Sequence, residues 1–267
     1  LRLGGAGGGT NTPLGTTGNG TTIAFGAALD LNGFTLGTAE TITSLNGTGF
    51  GPSGSSNMGA IMNSSGTPVS YSGNITMVAA SRINADYGAL TFSGNLSGAF
   101  AFTSGGFSNS TYTGVIGSGA LSVTKDGIGI LTLSGDNSFT GAVTISSGTL
   151  KLGAAGGATN TPLGTTAGIT TVATGARFDL NGYTLGTAEP LTLNGVGYGL
   201  GDFASGALMN SSGSSVTYSG LLTLGASASS TIKADYGDIN LTAAGTITGS
   251  SALFTLGGTG TGTLSSI

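Results

Sequence analysis

The carboxylates of this chain come in duplicate. Asp30, Glu40 and Asp86 recur 149 residues on as Asp179, Glu189 and Asp235. Two carboxyl groups held about 5–10 Å apart can cleave a glycosidic bond. Within one unit the pairs to consider are Asp30 with Glu40, and Asp86 with either. Asp30 and Asp179 themselves lie a whole unit apart, too far to cooperate in a stacked array. A catalytic pair has no need to be copied into every unit, whereas a turn residue does, so the expected duty is a turn or a cap between layers.

Other chemistries find fewer candidates. The sequence has no His and no Cys, which removes the usual base of nucleophilic catalysis, the thiol nucleophile and the common zinc ligands. A Ser–Lys arrangement could draw only on Lys125, Lys151 and Lys233, all embedded in repeat phrases. Asp136-Asn137 could place a calcium ligand at a turn. The run Gly195-Val196-Gly197-Tyr198-Gly199 looks like a phosphate loop but opens no helix, so it is expected to be a turn. Asn-x-Ser/Thr triplets at Asn63, Asn74, Asn95, Asn109, Asn210 and Asn240 are expected by chance in a chain this rich in Ser and Thr. Thr-x-Thr occurs at Thr41–Thr43 and Thr246–Thr248 without a constant interval, which argues against an ice-binding rank. No catalytic, cofactor-binding or metal site is therefore expected, and no cofactor.

These residues are carried on a tandem repeat. Residues 1–43 return as 150–192 with 30 of 43 positions identical, and MNSSG, V-S/T-YSG and I-x-ADYG return further on. This divides the chain into a first unit, 1–149, and a second, incomplete and continuous unit, 150–267. Gly makes up 54 residues, and only 6% of residues are charged against 38% hydrophobic. The apolar residues alternate in short runs such as Ile130–Leu133 and Val143–Ile145, punctuated by Gly, Asn, Asp and Ser, and no helical periodicity is present. The pattern predicts an all-β, parallel β-solenoid built from tandem 149-residue repeats. Coils of roughly 20–25 residues would stack at about 4.8 Å each. Asn32-Gly33, Asn46-Gly47, Asn181-Gly182 and Asn194-Gly195 read as its corners, because Gly and Asn tolerate positive φ. Leu, Ile, Val, Ala and Phe are expected inside, Thr and Ser outside.

The stretch 124–153, TKDGIGILTLSGDNSFTGAVTISSGTLKLG, resembles the passenger-associated transport repeat, also called the autotransporter-associated β-strand repeat. The matching positions are Lys125, Gly127, Gly129, Leu131, Leu133, Ser134, Gly135, Asn137, Phe139, Thr140, Gly141, Ile145, Gly148 and Leu150; Val143 stands where the family often has Thr. The resemblance implies a right-handed β-helix in a secreted passenger displayed on a bacterial surface, and implies no enzymatic activity.

The net charge of −4 with only six Lys and Arg leaves little to hold a polyanion, so no nucleic-acid partner is expected. No run is apolar enough for a membrane helix, and no membrane insertion is expected. The first unit begins inside the phrase seen again at Leu150, and Ser265-Ser266-Ile267 stops where the transport-like phrase would restart. Both ends thus read as cuts through a longer array. The expected role is a non-catalytic extracellular structural segment forming a fibre or filament, with the stalk of a surface adhesin as alternative and a glycan-active passenger as the enzyme alternative. The expected partners are further copies or a covalent continuation, and host or cell-surface glycans. The seven Tyr and eleven Phe are spread thinly along the chain, which weighs against a glycan-active surface.

Overall fold

The computed structural model describes residues 1–50, 58–117, 119–199, 205–226, 229–250 and 253–265; Ser266 and Ile267 of the terminal phrase lie outside them. Among the described residues the regular structure is all strand, wound into a β-solenoid of about 10 turns. Among the described residues every strand pairing is parallel except one short antiparallel pairing of Asn11–Thr12 with Gly15–Thr16. Parallel pairing follows from the winding, since each coil returns to the same face travelling in the same direction.

Three strand stacks form the walls. The first holds Thr21–Ile23, Ile42–Gly47, the start of Ile75–Ala85, Leu96–Ser97 and Ile116–Gly117. The second runs from Leu29–Asp30 through Ile61–Asn63 and the end of Ile75–Ala85 to Leu222–Leu224 and Thr248–Gly249. The third runs from Val69–Tyr71 through Ile130–Leu133 and Thr149–Leu152 to Leu253–Gly258. The long strand Ile75–Ala85 turns a corner and so belongs to two walls. Beyond Gly117 the first wall is carried by single bonds: Ser138 to Ile116, Asn137 to Thr161, Gly186 to Ala155. It resumes as Val216–Tyr218 paired with Ile239–Leu241.

Alternation decides what is inside. Leu131 and Leu133 are buried while Thr132 between them faces out, and the same holds for Val143, Ile145 and Thr144. Each fully buried Leu or Phe contributes about 1.5–3 kcal/mol. Aromatic rings stack in the interior as backbones do in the walls: Tyr71 on Phe92 at 6.0 Å and Phe92 on Tyr112 at 4.8 Å between centroids. The predicted corners form. Asn32 and Gly33 take φ of 48° and 80°, and Asn181 and Gly182 repeat the same two values; Gly47 and Gly195 are also left-handed.

Coil length is not constant. Leu131 stacks on Leu150, 19 residues on, but Leu29 stacks on Ile61, 32 residues on. The long coils fall in the duplicated phrases, which is why there are fewer coils than 20–25 residues each would give. The strands stay in register, and the surplus residues leave as loops.

The repeat does not coincide with a whole number of turns. Climbing one wall from Leu29 passes Ile61, Ile83, Ser104, Lys125, Ile145 and Val172, six turns. The counterpart of Leu29 is Phe178, which lies one strand further along, in the third wall. Likewise Ile23 sits in the first wall and its counterpart Val172 in the second. One unit is therefore six turns plus one wall. The strand Thr149–Leu152 runs unbroken across the boundary between the units.

Candidate functional site

The duplicated carboxylates are engaged in holding coils together. Asp30 Oδ1 accepts the N–H of Asn32 at 2.9 Å and of Ser64 at 3.1 Å, and Oδ2 accepts the Ser64 hydroxyl at 2.6 Å. Asp179 does the same with Asn181 and Ser211, at 2.9, 3.0 and 2.7 Å. Each clasps its own corner to the next coil, with a cation alongside: Arg2 at 3.4 Å from Asp30, Lys151 at 3.8 Å from Asp179. Glu40 is buried and accepts the hydroxyls of Thr21 and Thr12. Glu189 is buried and accepts those of Thr161 and Thr187, both at 3.0 Å. Burial holds the Glu189 carboxyl above its usual range against the pull of the two hydroxyls. Their main-chain carbonyls receive the hydroxyls of Tyr71 and Tyr218.

The remaining sequence candidates resolve in the same direction. Lys125 is buried, and its ammonium donates to the carbonyls of Asp126 at 2.6 Å, Gly127 at 2.8 Å and Ser147 at 3.3 Å. Burial lowers its pKa to about 8, partly offset by the Asp126 charge. Lys233 pairs with Asp235 at 3.7 Å. Asn137 is turned inward: its Oδ1 accepts Ile116 N–H at 2.7 Å and its Nδ2 donates to Pro162 O at 2.7 Å, so its oxygen does not face a calcium at Asp136. Asn63 and Asn210 are wholly buried and offer no acceptor for a glycan. Gly195, Gly197 and Gly199 are left-handed turn residues. Among the described residues no cluster of three metal-ligating side chains occurs, and no helix is long and apolar enough to cross a membrane.

Two surface features escape a linear reading. The first is a single file of threonines on the second wall: Thr103, Thr124, Thr144, Thr171, Thr192, Thr223 and Thr248 pair in register, one per coil. Unequal loops hide this file in the sequence. Its neighbours two residues back include Ala142, Ile169, Pro190 and Leu221 rather than a second file of threonine.

The second is a groove of about 300 Å³ at the corner following the second wall, lined by Met58, Met62, Arg82, Asp86, Tyr87 and Phe107 among others. Tyr87 and Phe107 are 71% and 68% exposed, and Ile128 stands exposed one coil further on. Arg82 forms a two-pronged ion pair with Asp126 at 2.6 and 2.7 Å, and its Nε donates to Asn84 Oδ1 at 2.8 Å. Partial burial raises the Asp86 pKa, opposed by a hydrogen bond from Asn84 and by the Arg82 charge, and reinforced by Asp30. Phe107 and Asp126, from the next two coils, thus join Arg82, Asp86 and Tyr87 at one place.

The fold and its corner chemistry define a protein of the parallel β-solenoid class. Within it, residues 123–152 match the family model described as the passenger-associated-transport-repeat. The match spans two successive coils and gives its motif positions physical roles. Lys125 ties three carbonyls; Leu131, Leu133, Ile145 and Leu150 fill the core; and Gly129 lies so close to the coil below that a Cβ would come within 2.0 Å of Ser108 O. Comparison with curated proteins and with solved structures returns no match.

Proposed function

We propose that this chain is a non-catalytic structural segment of a passenger-type protein on or outside a bacterial cell, built to span distance as a fibre or filament. The observation that supports it is the parallel stack of coils carrying a passenger-type transport repeat in its middle. Each coil is held chiefly by its two neighbours, so length is extended by adding units without redesigning a core. The uniform low charge and the engagement of Asp30, Glu40, Asp179 and Glu189 in coil-to-coil bonds suit a structural duty. Further copies, joined end to end or covalently, are the proposed partners.

Electron microscopy of the purified segment, together with protease shaving of intact source cells, tests this reading. Filaments with a cross-β spacing of about 4.8 Å along their length, and loss of the protein on shaving, are the expected results. Discrete single rods in place of filaments would favour a stalk, and protection of the protein inside intact cells would overturn surface display.

A further inference from the structure

We propose that the groove beside Arg82 is a binding site for a neutral oligosaccharide. Single exposed apolar residues need no explanation, but adjoining ones beside a shaped cavity do. Tyr87 and Phe107 lie one coil apart, about 4.8 Å along the axis, and both flank the groove. Such rings offer flat apolar faces to the C–H faces of pyranose rings.

The polar side of the groove suits hydroxyl groups. Arg82 is held by Asp126 and Asn84 through three of its N–H groups. A guanidinium has five, so fixed donors remain for a sugar oxygen, and Asp86 supplies acceptors beside them. A pre-positioned donor and acceptor costs little side-chain entropy on binding. The volume is at the lower end of the range of ligand sites. The charges around the groove balance: Arg82 pairs with Asp126, Arg2 with Asp30, and Lys125 beside Asp126 offsets Asp86. With no surplus positive charge the site gives anionic polymers such as uronates and nucleic acid no advantage, and a neutral glycan is the occupant that its charge suits.

The second unit supplies an internal control. Asp235 and Tyr236 repeat Asp86 and Tyr87, and Tyr236 is as exposed at 75%. Yet Thr231 stands where the first unit has Arg82, and Gly258-Thr259 lies on the next coil where the first unit has Gly106-Phe107. The second copy keeps the tyrosine and lacks the clamp and the second ring.

Isothermal titration and tyrosine fluorescence on the full segment, which has no Trp, test the proposal. The probes are cellohexaose, laminarihexaose and maltohexaose, with hexagalacturonate as the anionic comparison. At least one neutral probe should bind. Tyr87→Ala and Phe107→Ala should each weaken it about tenfold or more, and Tyr236→Ala should leave it unchanged; tenfold corresponds to about 1.4 kcal/mol. All three side chains are exposed, and circular dichroism verifies that each variant keeps its strands. Binding of none of the neutral probes at millimolar concentration, stronger binding of hexagalacturonate, or an equal loss in Tyr236→Ala would each overturn the proposal. A change in sedimentation on Phe107→Ala with saccharide affinity intact would overturn it as well, and would assign the patch to contact between copies.

Discussion

Arg82 and Asp126 are 44 residues apart in the chain and face each other across two coils, joined by two short hydrogen bonds. The coil between them passes beneath at Gly105. A Cβ there would stand 2.2 Å from Arg82 Nη2 and 2.4 Å from Asp126 Oδ1. The ion pair exists because the intervening residue has no side chain.

Gly105→Ala should therefore uncouple the pair. A double-mutant cycle with Arg82→Gln and Asp126→Asn should give a coupling of about 1 kcal/mol in the parent, as expected for a partly exposed pair. In the Gly105→Ala background the coupling should fall to near zero. An unchanged value would mean that the two groups meet by another route.

The corner at Gly182 makes a sharper demand. Its φ is 80°, and an added Cβ would lie 2.5 Å from Ser212 Oγ. Gly182→Val should cost on the order of 1–3 kcal/mol, because a β-branched residue holds positive φ only under strain. Thermal melting measures it, and a variant melting with the parent would refute the corner.

Tyr112 and Tyr218 are both buried, but only one hydroxyl is bonded. Tyr218 donates to Glu189 O at 2.6 Å. The hydroxyls of Tyr112 and Ser104 are buried without a hydrogen bond, although Ser104 lies close enough to stabilise the phenolate. Tyr218→Phe should thus lose about 1 kcal/mol, while Tyr112→Phe should be neutral or stabilising by up to about 1 kcal/mol. Denaturant unfolding of the two variants separates them, and equal losses would count against the assignment.

Stability should also depend on pH in a two-sided way. Burial lowers the Lys125 pKa from 10.5 to about 8, so between these values the unfolded chain binds more protons than the folded one. Stability therefore rises with pH through this window, and Lys125→Met should lack the rise. Tyr71, Tyr112 and Tyr218 are shifted the other way, raised by burial. Their contribution is intact below about pH 10, the ordinary phenol value, and is lost as the pH climbs above it. The free energy of unfolding measured from about pH 7 to 11 should rise and then fall; a monotonic loss from about pH 8 would rule out the Lys125 effect.

The parts legible in the sequence are those set by local backbone chemistry. Asn181-Gly182 announces a left-handed corner, and Leu131-Thr132-Leu133 announces a half-buried strand, whatever surrounds them. Coil-to-coil adjacency is different, because it depends on loop length, and loops vary while strand register does not. The file from Thr103 to Thr248 therefore leaves no constant interval in the sequence. For the same reason Phe107 and Asp126, from the next two coils, meet Arg82 and Tyr87 only in the fold. The duplication of Asp30 and Asp179 pointed to a turn, but not to Ser64 and Ser211 on the next coil as their hydroxyl partners.

The displacement of each unit by one wall has a consequence for how the chain finds its shape. Near-identical phrases in one molecule invite exchange, in which a segment from one copy docks where the other belongs. Here the two copies of the LNG-F/Y-TLGTAE phrase approach the growing stack from different sides. A segment sliding six turns straight along the axis would arrive on a different wall from its counterpart, beside strands that are not its counterpart's neighbours. A repeat of six whole turns would offer no such check. The odd wall in each unit sets the two copies on different sides of the stack, so neither can take the other's place by sliding along the axis alone.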